Sequence, residues 1–401
     1  MILNSIEIKA VEKEEFKFRK NSFSLMQSAG ERCSDYISSK ISKNDEILVI
    51  CGPGNNGGDG FIIGNCLINK GYKVKIFLIL PIKNKKKDNY KAFNKLNCEV
   101  FCLKDLHKEL KRKTRPIIID CIFGVGLNRK LNSNIINTIK AINKKKTIVF
   151  SIDIPTGINS DNGKVMGEAI KANFTLALHC KKLGHILFPG TYFSGLIKIL
   201  NIGIKKSLNK FVNNKIQENN PSLWINKKFP WKKYNSHKYS RGRVYVYGSL
   251  KNYIGASLLS SSAAIRCGVG SVTVIANKDT IDKYNQKFFS LLKIEINSID
   301  ELKFFLKKNI ITSLLIGPGA GVNQKTIENT KLISKFVNNM VIDADALTSF
   351  SKNPKQLFLI LDKNKIITPH EGEFNRIFPD FKNINNKIEK TLKASKKANC
   401  V

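Results

Sequence analysis

No stretch of this 401-residue chain is apolar for the ~20 residues a membrane-spanning helix needs. The N-terminus, MILNSIEIKAVEKEEF, brings glutamates early and has no apolar core, so it does not read as a signal peptide. Its nine cysteines are scattered, and no CxxC pair offers a zinc site. That usage fits small core residues in a reducing, cytoplasmic compartment. Acidic residues are scarce, 31 against 68 basic, which leaves a formal charge of +37. Such a surplus invites a nucleic-acid partner. However, the lysines run along the whole chain and far outnumber the arginines, while Asn and Ile are abundant. No RNP-type aromatic motif or basic helix with heptads accompanies them. Compositional drift therefore explains the charge better than nucleic-acid binding.

Hydrophobic content of 42% and charged content of 25% fit a soluble globular protein. The length predicts two domains. In the first, continuous β-branched runs recur between helix-like segments: EILVI (46–50), VKIFLIL (74–80), PIIIDCIFG (116–124), TIVFSIDIP (147–155) and FTLALHC (174–180). Such runs suit a parallel sheet covered on both faces, an α/β fold of three layers. The segment 205–240 is basic, polar and Pro-interrupted, and reads as a connector with a short structured piece at Leu223–Ile225. Beyond it the alternation restarts, and RVYVYGS, GSVTVIA, SLLIGPGAG, NNMVIDADAL and NKIITPHEGE each run from a strand into a polar loop. Open α/β sheets bind ligands at the carboxyl ends of their strands.

One such loop is CGPGNNGGDG (51–60), whose glycines are predicted to fill a turn between a strand and a helix. Gly52, Gly54 and Gly57 form a GxGxxG, but the ribose-binding acid expected about 20 residues on is missing. No GK[ST] closes a phosphate loop, and no Glu stands where an EF-hand needs it. Asn55, Asn56 and Asp59 instead add side-chain oxygens, which suit a hard cation, to backbone N–H groups, which suit an anion. Two further loops share this character. Asp120 ends one strand ahead of Gly124, Gly126, Arg129 and Lys130, and Asp153 ends another ahead of Pro155, Thr156 and Gly157. Singly, each Asp could be a helix cap. Together at one sheet edge, the three loops would make a site with acid–base and cation-binding capacity.

These loops, with LMQSAG (25–30) and CKKLGHILFPG (180–190), resemble the epimerase domain of the bifunctional NAD(P)H-hydrate repair enzymes. The second half is similar to that family's ADP- or ATP-dependent dehydratase domain, through HKYSRGRVYVYGS, IGASLLSSSAAIRCGVGSVTV, LLIGPGAG, VIDADALT and ITPHEGE. The resemblance implies a Rossmann-like epimerase domain at 1–215, a linker at 216–240 and an incomplete ribokinase-like domain at 241–401. It implies a small-molecule substrate, hydrated NADH or NADPH, bound beside a potassium ion. Asn55, Asn56, Gly57, Gly58 and Asp59 would line that substrate. Asn56, Asp120 and Thr156 would hold the potassium. Gly124, Val125, Gly126, Leu127, Asn128, Arg129 and Lys130 would cradle phosphates. Asp153 would act at the ring as the first catalytic candidate, ahead of Asp59 and Lys182, although Lys182 could equally be a solvated surface lysine.

In the second half the resemblance places Ala256, Gly319, Gly321 and His370 along the substrate, His370 having a structural strand-end role as its alternative. Its nucleotide, ADP or ATP, would need a Lys-Gly loop and a Gly-rich turn ending in Asp. No GxGD follows residue 321, so this half is expected to be truncated, poorly stable at an unpaired sheet edge, and doubtful as a dehydratase. A homo-oligomer stays open. The rival readings are a non-catalytic nucleotide-binding or scaffold protein that keeps the epimerase fold, and a sugar or cofactor kinase, against which the missing turn argues.

Overall fold

The computed structural model describes all residues except Met1, Lys20, 206–215, 227–228, 230, 232–233, 239 and 286–289. Much of the predicted connector therefore lies outside the described residues. The chain forms two compact units, Met1–Asn220 and Pro221–Val401. Among the described residues no helix is long and apolar enough to cross a membrane.

In the first unit the strands are β1 (Ile2–Leu3), β2 (Glu46–Cys51), β3 (Lys73–Leu78), β4 (Val100–Cys102), β5 (Ile117–Cys121), β6 (Val149–Ile152), β7 (Phe174–Leu178), β8 (Lys181–Lys182) and β9 (Leu196–Leu200). Seven of them form one parallel sheet in the order β4-β3-β2-β5-β6-β7-β9, while β1 pairs separately with β8. The β-branched runs at the centre are buried on both faces; Ile47 to Cys51 and Ile118 to Ile119 are wholly inaccessible. One face carries Cys33, Ile37, Phe61, Ile63 and Leu67 from two helices. The other carries Leu106, Ile135, Ile139 and Ile142. The chain winds outward from β2 in one direction and from β5 in the other. Loops after these two strands diverge there, which opens a crevice at the carboxyl edge.

The glycine-rich segment differs from its expected form. Only Gly52, Pro53 and Gly54 make the turn, and Asn55–Asn69 is already helix. Asn55, Asn56 and Asp59 thus stand on the first turns of a helix, and their glycines serve close packing. A Cβ built on Gly58 would lie 2.6 Å from the Met26 sulfur, and one on Gly30 would lie 2.5 Å from Ile62. The LMQSAG helix, Phe23–Ser38, packs directly on the glycine helix through these positions.

The second unit holds β10 (Arg243–Tyr247), β11 (Ser271–Ala276), β12 (Leu292–Glu295), β13 (Ser313–Ile316), β14 (Asn339–Ile342) and β15 (Lys365–Ile367) in the parallel order β12-β11-β10-β13-β14-β15. Its switch point lies between β10 and β13. The β15 edge, expected to stand unpaired, is partly covered. Val401 donates to the Lys365 carbonyl at 3.1 Å, and its own carbonyl accepts from Ile367 at 2.9 Å. The helix Lys387–Ala398 contributes Ala394 and Ala398 to the core beneath.

Candidate active site

Three strand ends build the site in the first unit. Asp120, on β5, is wholly buried. Its carboxylate accepts from Thr156 Oγ1 at 2.6 Å, the Thr156 backbone at 2.9 Å, Ser151 Oγ at 2.8 Å and the Ile122 backbone at 3.3 Å. Burial pushes the Asp120 carboxyl upward, and the hydrogen bonds from Thr156 and Ser151 oppose it. The Phe123 backbone in turn donates to Thr156 Oγ1 at 3.0 Å. Asp120 is therefore no helix cap; it ties the loops after β5 and β6 together.

Asp153 follows β6 with φ of +67°, a left-handed backbone that non-glycine residues seldom adopt. Its position is fixed on all sides. Its N–H donates to the Leu176 carbonyl at 2.9 Å, its carbonyl accepts from His185 Nε2 at 2.8 Å, and its carboxylate accepts from the Leu178 backbone at 3.3 Å. Such over-determined strain is a mark of functional positions. The same carboxylate pairs with Lys182 Nζ. Lys182 is 1% exposed, so it is a buried partner and not a solvated surface lysine. Its ammonium also donates to the Leu178 carbonyl at 2.9 Å.

His185, which sequence reasoning missed, orients both residues. Its Nδ1 accepts from the Lys182 backbone at 3.0 Å. Burial first, then the Lys182 charge, lowers its pKa to about 3. The ring is therefore neutral and carries its hydrogen on Nε2, towards the Asp153 carbonyl. A histidine three residues after a lysine in CKKLGHI gave no periodic signal of this role.

Asn56 sits on the first turn of the glycine helix, 8% exposed, and neither amide atom has a hydrogen-bond partner. Gly124 lies between it and Asp153. A Cβ at Gly124 would fall 3.4 Å from Asn56 Cγ and 3.6 Å from Asp153 Oδ2. Buried polar groups are normally satisfied, so an orphaned amide facing a strained carboxylate marks a place for a polar ligand. Asp59 is buried three positions further along the same helix. Burial raises its carboxyl well above the usual range, and the Asp153 charge raises it further.

The loop 124–130 runs away from this point. Asn159 Nδ2 donates to the Leu127 carbonyl at 3.2 Å and Ser160 Oγ to the Val125 carbonyl at 3.1 Å. Leu127 is buried, while Gly126, Asn128, Arg129 and Lys130 are exposed. A Cβ on Gly126 would meet nothing within 4 Å. The structure therefore links Asp120 to Thr156, Asp153 to Lys182, and Gly124 to both Asn56 and Asp153, while Arg129 and Lys130 are exposed.

In the second unit Ala256, Gly319 and Gly321 line one open cleft of about 610 Å³ together with Tyr253 and Asp345. The Gly321 backbone donates to Asp345 Oδ2 at 2.9 Å. His370 is not among the lining residues. It caps the helix Glu371–Ile377, where its Nδ1 accepts from the Gly372 backbone at 3.0 Å. That is the structural strand-end role.

Known families match both units. The family described as YjeF-related protein N-terminus matches residues 22–184, and that described as NAD(P)H-hydrate dehydratase matches residues 244–401. A bifunctional NAD(P)H-hydrate repair enzyme of Dictyoglomus turgidum is 32% identical over 400 residues, spanning 94% of this chain and 75% of its own. The enzyme of the same name from Coxiella burnetii is 29% identical over 361 residues, 88% of this chain and 71% of its own. A crystal structure of a yeast protein aligns with 55% of this chain and 97% of its own, at 20% identity and a TM-score of 0.46. On the length and identity of the sequence matches, this chain belongs to the bifunctional NAD(P)H-hydrate repair enzymes.

Proposed function

We propose that the first unit interconverts the two epimers of hydrated NADH and NADPH at the crevice between β2 and β5, and that the cleft at Ala256, Gly319 and Gly321 receives the hydrate for nucleotide-dependent dehydration. The observation that carries the first assignment is the buried Asp153–Lys182 pair facing the unpartnered Asn56 amide. Epimerisation moves a hydroxyl from one face of a reduced nicotinamide ring to the other. The carbon–oxygen bond breaks as the ring nitrogen lone pair forms a carbon–nitrogen double bond, and the departing oxygen takes a proton. Water then adds to the other face and gives a proton back. Asp153 is placed to take and return that proton, and Lys182 holds its carboxylate in one orientation. Asp59, whose carboxyl burial pushes upward, stands on the same helix as Asn56. Gly124 leaves room for the ring, while the loop to Lys130 offers backbone amides and the Arg129 and Lys130 charges to the pyrophosphate.

The oxygens of Asn56, Asp120 and Thr156 form a hard donor set, and the orphaned Asn56 amide fits a potassium ion better than a self-satisfied turn would. Bound there, potassium would fix the loops and offset the Asp120 charge. The second unit, with ADP or ATP as its nucleotide, would hold the hydrate against Asp345. His370 is not among the residues that line that cleft.

The test is to mix the full chain with one purified epimer and follow the other by chromatography, with and without potassium. The expected result is a rate above the spontaneous one that falls when potassium is replaced by a larger organic cation. No acceleration in either salt overturns the epimerase reading in favour of a nucleotide-binding scaffold. Gly126→Ala separates the phosphate cradle from the fold. It should leave the melting temperature unchanged, since its Cβ points into open space, and raise KM several-fold with kcat retained. An unchanged KM would remove the loop from the binding surface.

A further inference from the structure

Asn159 and Ser160 lie in the loop between β6 and β7 and form a junction between the two ends of the site. On one side is the short helix behind Lys182. The Ser160 carbonyl accepts from the Gly184 backbone at 2.7 Å, and Gly184 stands between Lys182 and His185. The approach is close: a Cβ on Gly184 would lie 2.6 Å from the Asn159 carbonyl oxygen and 3.0 Å from Ser160 Cα. On the other side is the loop 124–130. Ser160 Oγ donates to the Val125 carbonyl at 3.1 Å, and Asn159 Nδ2 to the Leu127 carbonyl at 3.2 Å. The junction itself is held from within and without. Asn159 Oδ1 accepts from the backbones of Asp161 and Asn162 at 3.0 and 3.2 Å. The Asp161 carboxylate accepts from the Ser5 backbone and from Ser5 Oγ, both at 2.6 Å.

The two side-chain bonds fix the direction of the loop's donors. Among the described residues the one cis peptide is Phe188–Pro189, so the peptides joining Val125 to Gly126 and Leu127 to Asn128 are trans. A planar trans peptide points its N–H away from its C=O. With the Val125 and Leu127 carbonyls turned onto Ser160 and Asn159, the N–H groups of Gly126 and Asn128 face the opposite way. Both residues are exposed, while Leu127 between them is buried. Neither N–H has a hydrogen-bond partner among the described residues. Two outward amides, followed directly by Arg129 and Lys130, suit an anion.

We propose that Asn159 and Ser160 are positioning residues that aim the Gly126 and Asn128 amides at a phosphate of the substrate and set their place relative to the Asp153–Lys182 pair. This rests on the epimerase reading and deepens it, because it makes the phosphate the group by which the site selects its substrate. Ser160 is 2% exposed, so it acts through the loop and not by touching the ligand. Hydrated nicotinamides that carry a phosphate are preferred over the bare riboside, and the preference depends on the two side-chain donors.

The test measures kcat and KM in full-length protein for hydrated NADH and for the hydrate of reduced nicotinamide riboside, which has no phosphate. Wild type should favour hydrated NADH through KM. Ser160→Ala should raise the KM of hydrated NADH about three- to tenfold, the worth of one hydrogen bond, and leave kcat/KM for the riboside unchanged. Asn159→Asp keeps an oxygen for the Asp161 and Asn162 amides but loses the donor to Leu127. It should act in the same direction, and it carries the comparison should Ser160→Ala fail to fold. Its KM relative to wild type should stay raised at high salt, which screens the added charge; a ratio that returns to one would assign the effect to repulsion and overturn the role of Asn159. An unchanged KM for hydrated NADH, or an equal loss on both substrates, overturns the positioning role while the epimerase reading stands. A wild type that accelerates neither substrate overturns that reading, and this role with it.

Discussion

Asp153→Asn is expected to remove the acceleration of epimerisation and to destabilise the first unit together. Asparagine tolerates the left-handed backbone that Asp153 adopts, so the change tests the charge and not the φ angle. It also strands Lys182, 1% exposed, without its counter-charge. Breaking a buried pair from one side costs about 3–5 kcal/mol, since the remaining charge stays desolvated. Loss of activity alone would therefore be ambiguous. The double variant Asp153→Asn, Lys182→Met removes both charges and leaves an apolar chain of similar length in the lysine's place. It should regain most of the lost stability, because replacing a buried pair is often near neutral. It should not regain activity. A stable, inactive double variant separates chemistry from folding. A single variant that still accelerates the reaction would refute the role of Asp153.

Gly57→Ala should cost at least about 3 kcal/mol, the upper end of what overpacking usually costs. The intrinsic preference points the other way. Within a helix, Ala is favoured over Gly by about 0.5–1 kcal/mol. The close approach decides the sign. A Cβ on Gly57 would lie 1.9 Å from the Gly52 carbonyl oxygen and 2.8 Å from its carbon. Both are backbone atoms that cannot swing aside, and Gly52 is itself pressed against the Ile122 carbonyl. Gly54→Ala is the control. It has open space around it and an ordinary φ of −103°. It should lose only the modest preference of Gly over Ala at a helix N-cap, up to about 1 kcal/mol. Thermal melts of the two variants check this, and equal melting temperatures would mean that the loop relaxes freely.

The parallel α/β architecture was readable because buried central strands are continuous β-branched runs. β2, β5 and β7 begin within a residue of where the runs begin. The edge strands were not. Val100–Cys102, Leu196–Leu200 and Leu292–Glu295 are short or half-exposed, so hydration leaves their composition mixed and erases the signal. The glycine segment was legible as a ligand loop but not as a helix start. Glycine suits a turn by conformational freedom and a helix by absence of bulk, and the letters alone do not say which need applies.

The site divides in the same way. Strand ends and their polar loops pointed to Asn56, Asp120, Asp153 and Thr156 as candidates, because side-chain oxygens cluster there after apolar runs. Lys182 was balanced between surface and site until its burial against Asp153 was seen. His185 gave nothing, since a single titratable residue in a short helix has no period and no motif. By itself the sequence determined the family, the parallel sheets and the loops that meet at their edge, because those follow from local patterning. Only the tertiary structure decided which charges are desolvated together. Burial depends on what packs over a residue from distant parts of the chain, and here Ile8 and Val11 of the N-terminal helix share a core cluster with Cys180, two residues before Lys182.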